Sequence, residues 1–267
     1  MRNAAWLLAL CAASALAQSA EPAPLQATLY LSQDDPRATR AREAVQAAAR
    51  PFGARIDLVE VGIDDLEGYK RLKAAERDLE IAEPGEVTLT VGRFALTSKG
   101  ARRDVEDLAE AVFARLLGGD EHKKRRAPDV AAFAQAAFGS KDAQVAQDHQ
   151  DGADTYYEVR SGGARIGWVV DVYRRLACPV CSDAQFLIAV KNAPLPEIVS
   201  VKPVRELERY GKPLDADAER GFLAAFKGRT EKDAQPVDGV SGATKTSRAY
   251  MQGAAEALKG VRRGDGK

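Results

Sequence analysis

Apolar and polar positions along the first half of the chain predict seven short elements. Residues Leu25–Leu31 alternate with the period of a β-strand. Apolar residues at helical spacing then follow Asp35 and Pro36, which supply an N-cap and a proline at the first helical position. The remaining elements are predicted in the order strand, helix, strand, strand, helix, at Ile56–Val61, Leu66–Leu79, Val87–Val91, Phe94–Thr97 and Asp104–Leu117. The pattern favours an α/β domain over residues 25–118.

The second half begins with an apolar helix and continues mainly with strands. The helix is predicted at Asp129–Phe138, and Gly139 ends it. Four strands and two further helices follow, at Tyr156–Val159, Ile166–Val172, Phe186–Val190, Ile198–Pro203, Asp217–Lys227 and about Lys245–Lys259. We expect an α+β domain over residues 129–262. The Gly-rich and then basic segment 119–128 is typical of a solvated linker, with a partner patch as the alternative.

Composition places the chain among ordinary globular proteins. Of its 267 residues, 45% are hydrophobic and 29% are charged, which excludes a largely disordered or collagen-like chain. The 39 basic residues balance the 39 acidic residues, so the charge argues against a nucleic-acid partner. Three cysteines are too few for a disulfide scaffold, and two histidines argue against a multi-histidine metal centre.

Residues 1–17 carry the pattern of a secretory signal peptide. A positively charged start and an apolar stretch precede a cleavage site at Ala15–Ala17. The stretch is shorter than the roughly 20 apolar residues of a membrane-spanning helix, and no later segment reaches that length. A buried N-terminal helix and a lipoprotein signal at Cys11 are the alternatives. The sequence predicts a periplasmic or otherwise extracytoplasmic protein that does not span a membrane.

The order of elements over residues 25–118 resembles that of the thioredoxin and glutaredoxin fold. A redox-active member carries a CxxC pair where the first strand meets the first helix, because the helix N-terminus lowers the pKa of a thiol. Residues Ser32–Pro36 occupy that place here and contain no cysteine. The resemblance therefore implies a thioredoxin-like domain that lacks CxxC and serves for docking or structure.

The segment Asp238–Ser247 reads DGVSGATKTS and leads into the last predicted helix. Its two glycines allow a tight turn, and the unpaired N–H groups and positive dipole end of a helix N-terminus attract anions. Thr244 therefore lies where a phosphate would be stabilised. The alternative is that Thr244 or Thr246 only caps the helix.

This string resembles the flavinylation motif of the FMN-binding domain family. That family includes one component of the sodium-pumping NADH:quinone reductase and one component of the Rnf electron-transport complex. The resemblance extends weakly upstream to Ile166–Val170 and covers about residues 150–260. It implies that an exported flavin transferase joins FMN through its phosphate to Thr244. The transferase would read the flanking residues Asp238, Gly239, Ser241, Gly242, Ala243, Thr246 and Ser247.

The residues that contact the flavin ring are not given by the motif. Four aromatic residues are candidates, although each is more often a core or surface residue: Tyr156, Tyr157, Trp168 and Tyr210.

Cys178-Pro179-Val180-Cys181 lies between two predicted strands and is no part of the flavinylation motif. The CxxC spacing suits a redox-active pair that exchanges two electrons with a nearby flavin. A structural disulfide is a second interpretation, although so short a loop contributes little chain entropy. Ligation of a metal or cluster is a third, and a partner would have to complete the site, because the chain offers only His149 besides this pair.

These features together predict a flavoprotein that carries electrons through FMN on Thr244, between a membrane redox complex and another acceptor. The alternative is a thiol-disulfide or small-molecule reductase in which Cys178 and Cys181 are catalytic and the flavin is a relay. A third hypothesis is a binding module whose thioredoxin-like domain is the active part.

Overall fold

A computed structural model describes residues 22–233, 237, 239 and 244–264, with side chains up to residue 262. The predicted signal peptide, residues 1–17, lies outside the described residues. The described chain forms two units, which we call the N-terminal unit (residues 25–117) and the C-terminal unit (residues 130–264). No described helix is both long and apolar enough to cross a membrane.

The N-terminal unit is a four-stranded sheet with helices on both faces. Its elements are β1 (Leu25–Leu31), α1 (Pro36–Ala49), β2 (Ile56–Gly62), α2 (Leu66–Asp78), β3 (Val87–Val91), β4 (Phe94–Ser98) and α3 (Asp104–Leu117). The strand order is β2-β1-β3-β4, with β1 parallel to β2 and the other neighbours antiparallel. The structure contains all seven predicted elements of this unit.

Local sequence explains where α1 begins and how the helices cover the sheet. Asp35 caps α1, because its carboxylate accepts a hydrogen bond from the backbone N–H of Arg37 at 2.9 Å. The apolar residues of α1 and α3 pack on one face of the sheet. Leu72 of α2 packs on the other face, against Tyr30 and Val61. Both faces of the sheet are therefore covered.

The C-terminal unit is a five-stranded antiparallel sheet whose strands lie side by side in chain order. The strands are β5 (Gln144–Asp151), β6 (Asp154–Ser161), β7 (Ala164–Arg174), β8 (Ala184–Lys191) and β9 (Glu197–Pro203). A short hairpin and three helices complete the unit, at β10 (Glu208–Arg209), β11 (Lys212–Pro213), α4 (Val130–Phe138), α5 (Ala216–Ala224) and α6 (Thr244–Gly264). Helices α5 and α6 pack on one face of the sheet and α4 on the other. The fold as a whole is α+β.

Three features of the C-terminal unit differ from the sequence-based expectation. Strand β5 is absent from that expectation, because its sequence QVAQDHQD is largely polar and exposed along the edge of the sheet. The β10–β11 hairpin is also absent, since two-residue strands are too short to show a period. Helix α5 ends at Ala224 rather than Lys227, and α6 runs from Thr244 to Gly264 rather than from Lys245 to Lys259.

A loop of the C-terminal unit completes the core of the N-terminal unit. The connection between β7 and β8 places Cys178, Val180 and Cys181 in the same apolar cluster as residues of α1, β3 and α3. These three residues expose only 2%, 0% and 7% of their surface. The two units therefore share a packed interface.

The β10–β11 hairpin adds charged contacts to this interface. Arg209 of β10 pairs with Asp104 of α3, whose side chain is 4% exposed. The neighbouring Glu208 pairs with Arg115 of α3 at 2.5 Å. Both ion pairs join β10 to α3 and hold the two units in one arrangement.

The segment 119–128 is packed rather than solvated at its centre. His122 is buried, with 4% of its surface exposed. Lys123 pairs with Asp183 at 3.2 Å, and Arg125 pairs with Asp171 at 2.7 Å. Residues 119–121 and 124–127 are exposed, so the expectation of a solvated linker is wrong only for His122 and Lys123. The basic run neutralises two buried carboxylates of the C-terminal unit.

Candidate functional site

Thr244 is the first residue of α6 and is exposed. Lys245 follows it and is exposed as well, and the first turn of the helix contains no acidic residue. Thr246 is half-buried, and Ser247 is 1% exposed. An exposed hydroxyl and a cation at a helix N-terminus without a carboxylate form a set of groups that suits a phosphate ester.

Part of the predicted motif lies beside the first turn of α6. A Cβ added to Gly239 would lie 3.5 Å from the Cβ of Ser247, which is ordinary van der Waals contact. The structure thus brings these two predicted residues together. The other flanking residues, Asp238, Ser241, Gly242 and Ala243, lie outside the described residues.

Two glycines let α6 lie close against the sheet. A Cβ on Gly253 would come within 2.6 Å of Cγ1 of Val172, and a Cβ on Gly260 within 2.1 Å of the hydroxyl oxygen of Tyr156. Both distances are shorter than real carbon contacts, so any side chain at these positions would push the helix outward. This close packing fixes the direction in which α6 presents Thr244.

A small cavity beside Thr246 contains a buried guanidinium N–H. The cavity holds about 10 Å³, enough for one water molecule, and is lined by Thr246, Tyr250 and Arg205 among others. Within the described part of the chain, Nε of Arg205 has no hydrogen-bond partner. One terminal nitrogen donates to the carbonyl oxygen of Glu121 at 3.1 Å. Burial, and then repulsion from Arg126, lowers the pKa of Arg205. A second cation therefore lies close to the motif.

A cleft of about 1100 Å³ lies between the two units, and we call it the interdomain cleft. Phe94 of β4 and Tyr210 of the β10–β11 turn line the cleft, and their rings meet edge to face with centroids 5.3 Å apart. The β7–β8 loop contributes Cys178 and Pro179, and α6 contributes Lys245. The residue that follows the predicted attachment site therefore lines the same cleft as the first cysteine of the CxxC pair.

Cys178 and Cys181 form a disulfide, with their Cα atoms 5.3 Å apart. The bonded sulfurs favour the redox and structural interpretations of the pair over ligation. The loop is held in place by His122, whose Nε2 lies 2.9 Å from the carbonyl oxygen of Pro179. Among the described residues, no group of three or more His, Cys, Asp or Glu side chains is arranged to hold a metal ion.

Of the four aromatic candidates for contact with the flavin ring, only Tyr210 lines the interdomain cleft. Trp168 and Tyr156 are buried in the core beneath α6, with 2% and 1% of their surfaces exposed. Tyr157 packs on the other face of the sheet, with α4. His149, considered as a metal ligand, stacks on Tyr156 with centroids 4.3 Å apart.

Sequence reasoning missed three residues of this region: Phe94, Arg205 and Lys245. Phe94 and Arg205 lie far from the motif along the chain and meet it only through the packing of the two units. Lys245 lies inside the motif string, and its charge next to Thr244 was the one signal that could have identified it.

Comparison with known proteins identifies one segment of the chain. None of the curated proteins matches it. Among solved structures, the crystal structure of protein AGR_C_4864 from Agrobacterium tumefaciens matches at 14% identity over 73% of this chain and 78% of that chain, with a TM-score of 0.27. Residues 182–259 match the family model described as FMN-binding domain, a span that starts directly after Cys181 and includes Thr244. The C-terminal unit therefore contains an FMN-binding domain, which supports FMN as its cofactor.

Proposed function

We propose that this protein is an extracytoplasmic flavoprotein that carries electrons through FMN joined by a phosphoester to Thr244. The observation that carries the proposal is the exposed Thr244 hydroxyl at the first position of α6, inside the segment that matches an FMN-binding domain. A flavin, when bound, supplies one- and two-electron chemistry, and the protein sets its position and electrostatic surroundings.

The residues around Thr244 have distinct roles in this proposal. The hydroxyl of Thr244 is the ester oxygen. Lys245 and the N–H groups of the first turn, which have no acceptor within the helix, balance the charge of the phosphate. Gly239 lies beside Ser247, next to the first turn of the helix. The flavin transferase reads these residues and the rest of the motif, Asp238, Ser241, Gly242, Ala243 and Thr246.

The N-terminal unit serves as a thioredoxin-like docking domain in this proposal, for the membrane redox complex that donates electrons or for the acceptor. The order of its strands and helices supports the assignment. The place of the usual CxxC pair is occupied by a loop that is held by Asp64, which accepts hydrogen bonds from the Ser32 hydroxyl at 2.5 Å and the Gln33 N–H at 2.8 Å. This polar loop offers docking contacts but no thiol.

Expression with and without a flavin transferase, followed by intact mass and peptide mapping, tests the proposal. The expected result is an added FMN mass on the peptide that contains Thr244, present only with the transferase. Thr244→Ala should remove it, and the control Thr230→Ala, outside the motif, should retain it. An unmodified Thr244 peptide in the presence of an active transferase would contradict the proposal.

A second candidate function is a thiol-disulfide or small-molecule reductase. The supporting observation is that Cys178 and Lys245 line the same interdomain cleft. Uptake of two electrons and two protons from a reduced flavin or dithiol would cleave the Cys178–Cys181 bond and leave two thiols. Thiol titration during flavin reduction detects this step. Unchanged electron transfer in the double variant Cys178→Ser, Cys181→Ser would argue against the reductase.

A further inference from the structure

We propose that the interdomain cleft seats the isoalloxazine ring of the FMN on Thr244, so that the N-terminal unit forms part of the cofactor site. This inference rests on the proposed function, since it requires FMN at Thr244. It assigns a binding role to residues outside the segment that matches the FMN-binding domain.

The interdomain cleft begins one residue from the proposed attachment site. Lys245, which follows Thr244 directly, lines the cleft, so an FMN joined to Thr244 through its phosphate would be attached next to it. Residues three to four apart, not adjacent ones, share a helix face, and the ribityl chain is long enough to bridge that offset. The volume of about 1100 Å³ is slightly larger than the roughly 300–1000 Å³ of typical small-molecule sites, so the cleft has room for the ring.

One part of the cleft wall is aromatic and apolar, while charged side chains line much of the rest. Phe94 and Tyr210 meet edge to face at 5.3 Å, and Pro179 and Leu176 extend the apolar surface. Ligand sites combine hydrophobic and aromatic surface with polar groups, and this part of the cleft supplies the hydrophobic surface. Tyr210 and Phe94 can form offset-stacked or edge-to-face contacts with a planar tricyclic ring.

The backbone at the cleft supplies an independent observation. Among the described residues, the non-glycine residues with positive φ are Glu80 and Tyr210, both at 52°, and both line the interdomain cleft. Tyr210 and Gly211, with φ of 52° and 92°, form the two-residue turn between β10 and β11. Such turns favour Asn, Asp or Gly at the first position. Tyrosine rarely adopts a positive φ, and such strained residues are concentrated at ligand sites.

A competing seat for the ring lies behind α6. Met251, Phe226 and Leu258 line an apolar pocket of about 190 Å³ there. That volume is below the roughly 300 Å³ at which ligand pockets begin. The pocket therefore fits the ring less well than the interdomain cleft, and the experiment compares the two sites.

Flavin fluorescence of the full-length, flavinylated chain tests the inference. Tyr210→Asn removes the ring but supplies a residue that the turn favours, so the variant should fold. A tyrosine in contact with a flavin quenches its emission by electron transfer, so Tyr210→Asn should raise the fluorescence severalfold and shift the visible circular dichroism of the flavin. Phe94→Leu removes the ring that packs against Tyr210 and should shift the circular dichroism as well. The control Tyr69→Asn removes a tyrosine that is 48% exposed on α2, outside the cleft, and should leave both signals unchanged.

The outcomes separate this inference from the proposed function. Intact mass is measured on every sample. Attached FMN with wild-type fluorescence in Tyr210→Asn and wild-type circular dichroism in both Tyr210→Asn and Phe94→Leu would overturn the cleft as the seat and leave the proposed function standing. Attached FMN whose spectrum changes only in Met251→Ala would assign the ring to the pocket behind α6. Absence of attached FMN from the wild-type chain would overturn the proposed function itself.

Discussion

The two units cover their sheets in the same way but fill their cores from different sources. In the C-terminal unit, the fully buried members of both described core clusters come from that unit alone. The main core of the N-terminal unit includes Cys178, Val180 and Cys181, which belong to the chain of the C-terminal unit. The segment 119–128 therefore separates the two units along the chain, but their hydrophobic cores are not separate. A partner that binds the N-terminal unit would therefore bind a unit that shares core residues with the C-terminal unit.

The contrast also separates the chemistry of the two units. The N-terminal unit contains no cysteine, and a polar loop joins β1 to α1, where Ser32 donates a hydrogen bond to Asp64. The C-terminal unit contains the motif, the disulfide and the FMN-binding segment. In the proposed function, electron transfer therefore depends on the C-terminal unit, and the N-terminal unit contributes a wall of the interdomain cleft.

The largest expected effect of a single substitution lies in the self-contained C-terminal unit, at Arg174→Ala. Arg174 binds both carboxylate oxygens of Asp154, at 2.5 and 2.7 Å, and also Glu256 of α6. Removal of the guanidinium leaves the carboxylate of Asp154, 5% exposed, without this partner. We expect a loss of about 3 kcal/mol in the free energy of unfolding, the lower end of the range for a broken buried ion pair. The guanidinium is 18% exposed, which places the effect at that end.

Urea denaturation followed by Trp168 fluorescence measures this loss, since Trp168 lies in the C-terminal core. The matched control is Arg160→Ala, whose pair with Glu158 involves a side chain that is 53% exposed. That control should lose less than about 1 kcal/mol. Equal losses in the two variants would show that the Arg174 pair contributes no more than a surface pair.

Val180→Ala tests whether the stability of the N-terminal unit depends on the β7–β8 loop of the C-terminal unit. Val180 is completely buried in the N-terminal core, and its shortening removes two methyl groups from that core. We expect a loss of roughly 2 kcal/mol in the free energy of unfolding. The loss should appear as faster hydrogen exchange of the β1 and β3 amides, although the substituted residue lies in the other unit.

The control for this prediction is Val59→Ala, a valine of the edge strand β2 that is 38% exposed. It should change exchange by less than about 0.5 kcal/mol. Faster exchange confined to β7 and β8 in Val180→Ala would break the comparison, because the loop would then support only its own unit.

The sequence predicts elements well where a period is present and poorly where contacts are made between distant segments. The alternation in β1 and the apolar face of α3 identify both elements within the N-terminal unit. The sequence does not predict strand β5, because an edge strand of polar residues has no apolar face. The burial of His122 within the expected solvated linker is missed for the same kind of reason, since it depends on a loop more than 50 residues away, which lies against its ring.

The candidate site likewise has a part that the sequence predicts and a part that it does not. Thr244 and its flanking residues follow from a contiguous string, and their cofactor follows from the resemblance of that string to a family. The interdomain cleft follows from no string, because Phe94, Cys178 and Tyr210 come from three separate elements. The attachment proposed for the cofactor therefore follows from the sequence, whereas the seat proposed for its ring follows from the fold.

The smallest expected effect concerns pH and again separates the two units. The larger core of the C-terminal unit contains Tyr250, 1% exposed and stacked on Phe186 with ring centroids 3.8 Å apart. The fully buried members of the main N-terminal cluster include no tyrosine. Burial, followed by the nearby Glu219, raises the pKa of Tyr250 above its ordinary value of about 10. The folded state therefore keeps the phenol proton at a pH at which the unfolded chain releases it.

Because the folded-state pKa is the higher one, the stability from this group is complete below pH 10 and falls as the pH rises above it. Tyr250 alone should contribute a slope of up to about 1.4 kcal/mol per pH unit above pH 10. Tyr250→Phe should remove that slope, and Tyr69→Phe, at an exposed tyrosine, should keep it. Urea unfolding of the three proteins between pH 9 and pH 11, followed by Trp168 fluorescence, measures the difference. Parallel pH profiles for wild type and Tyr250→Phe would show that the buried phenol does not set the alkaline limit of the C-terminal unit.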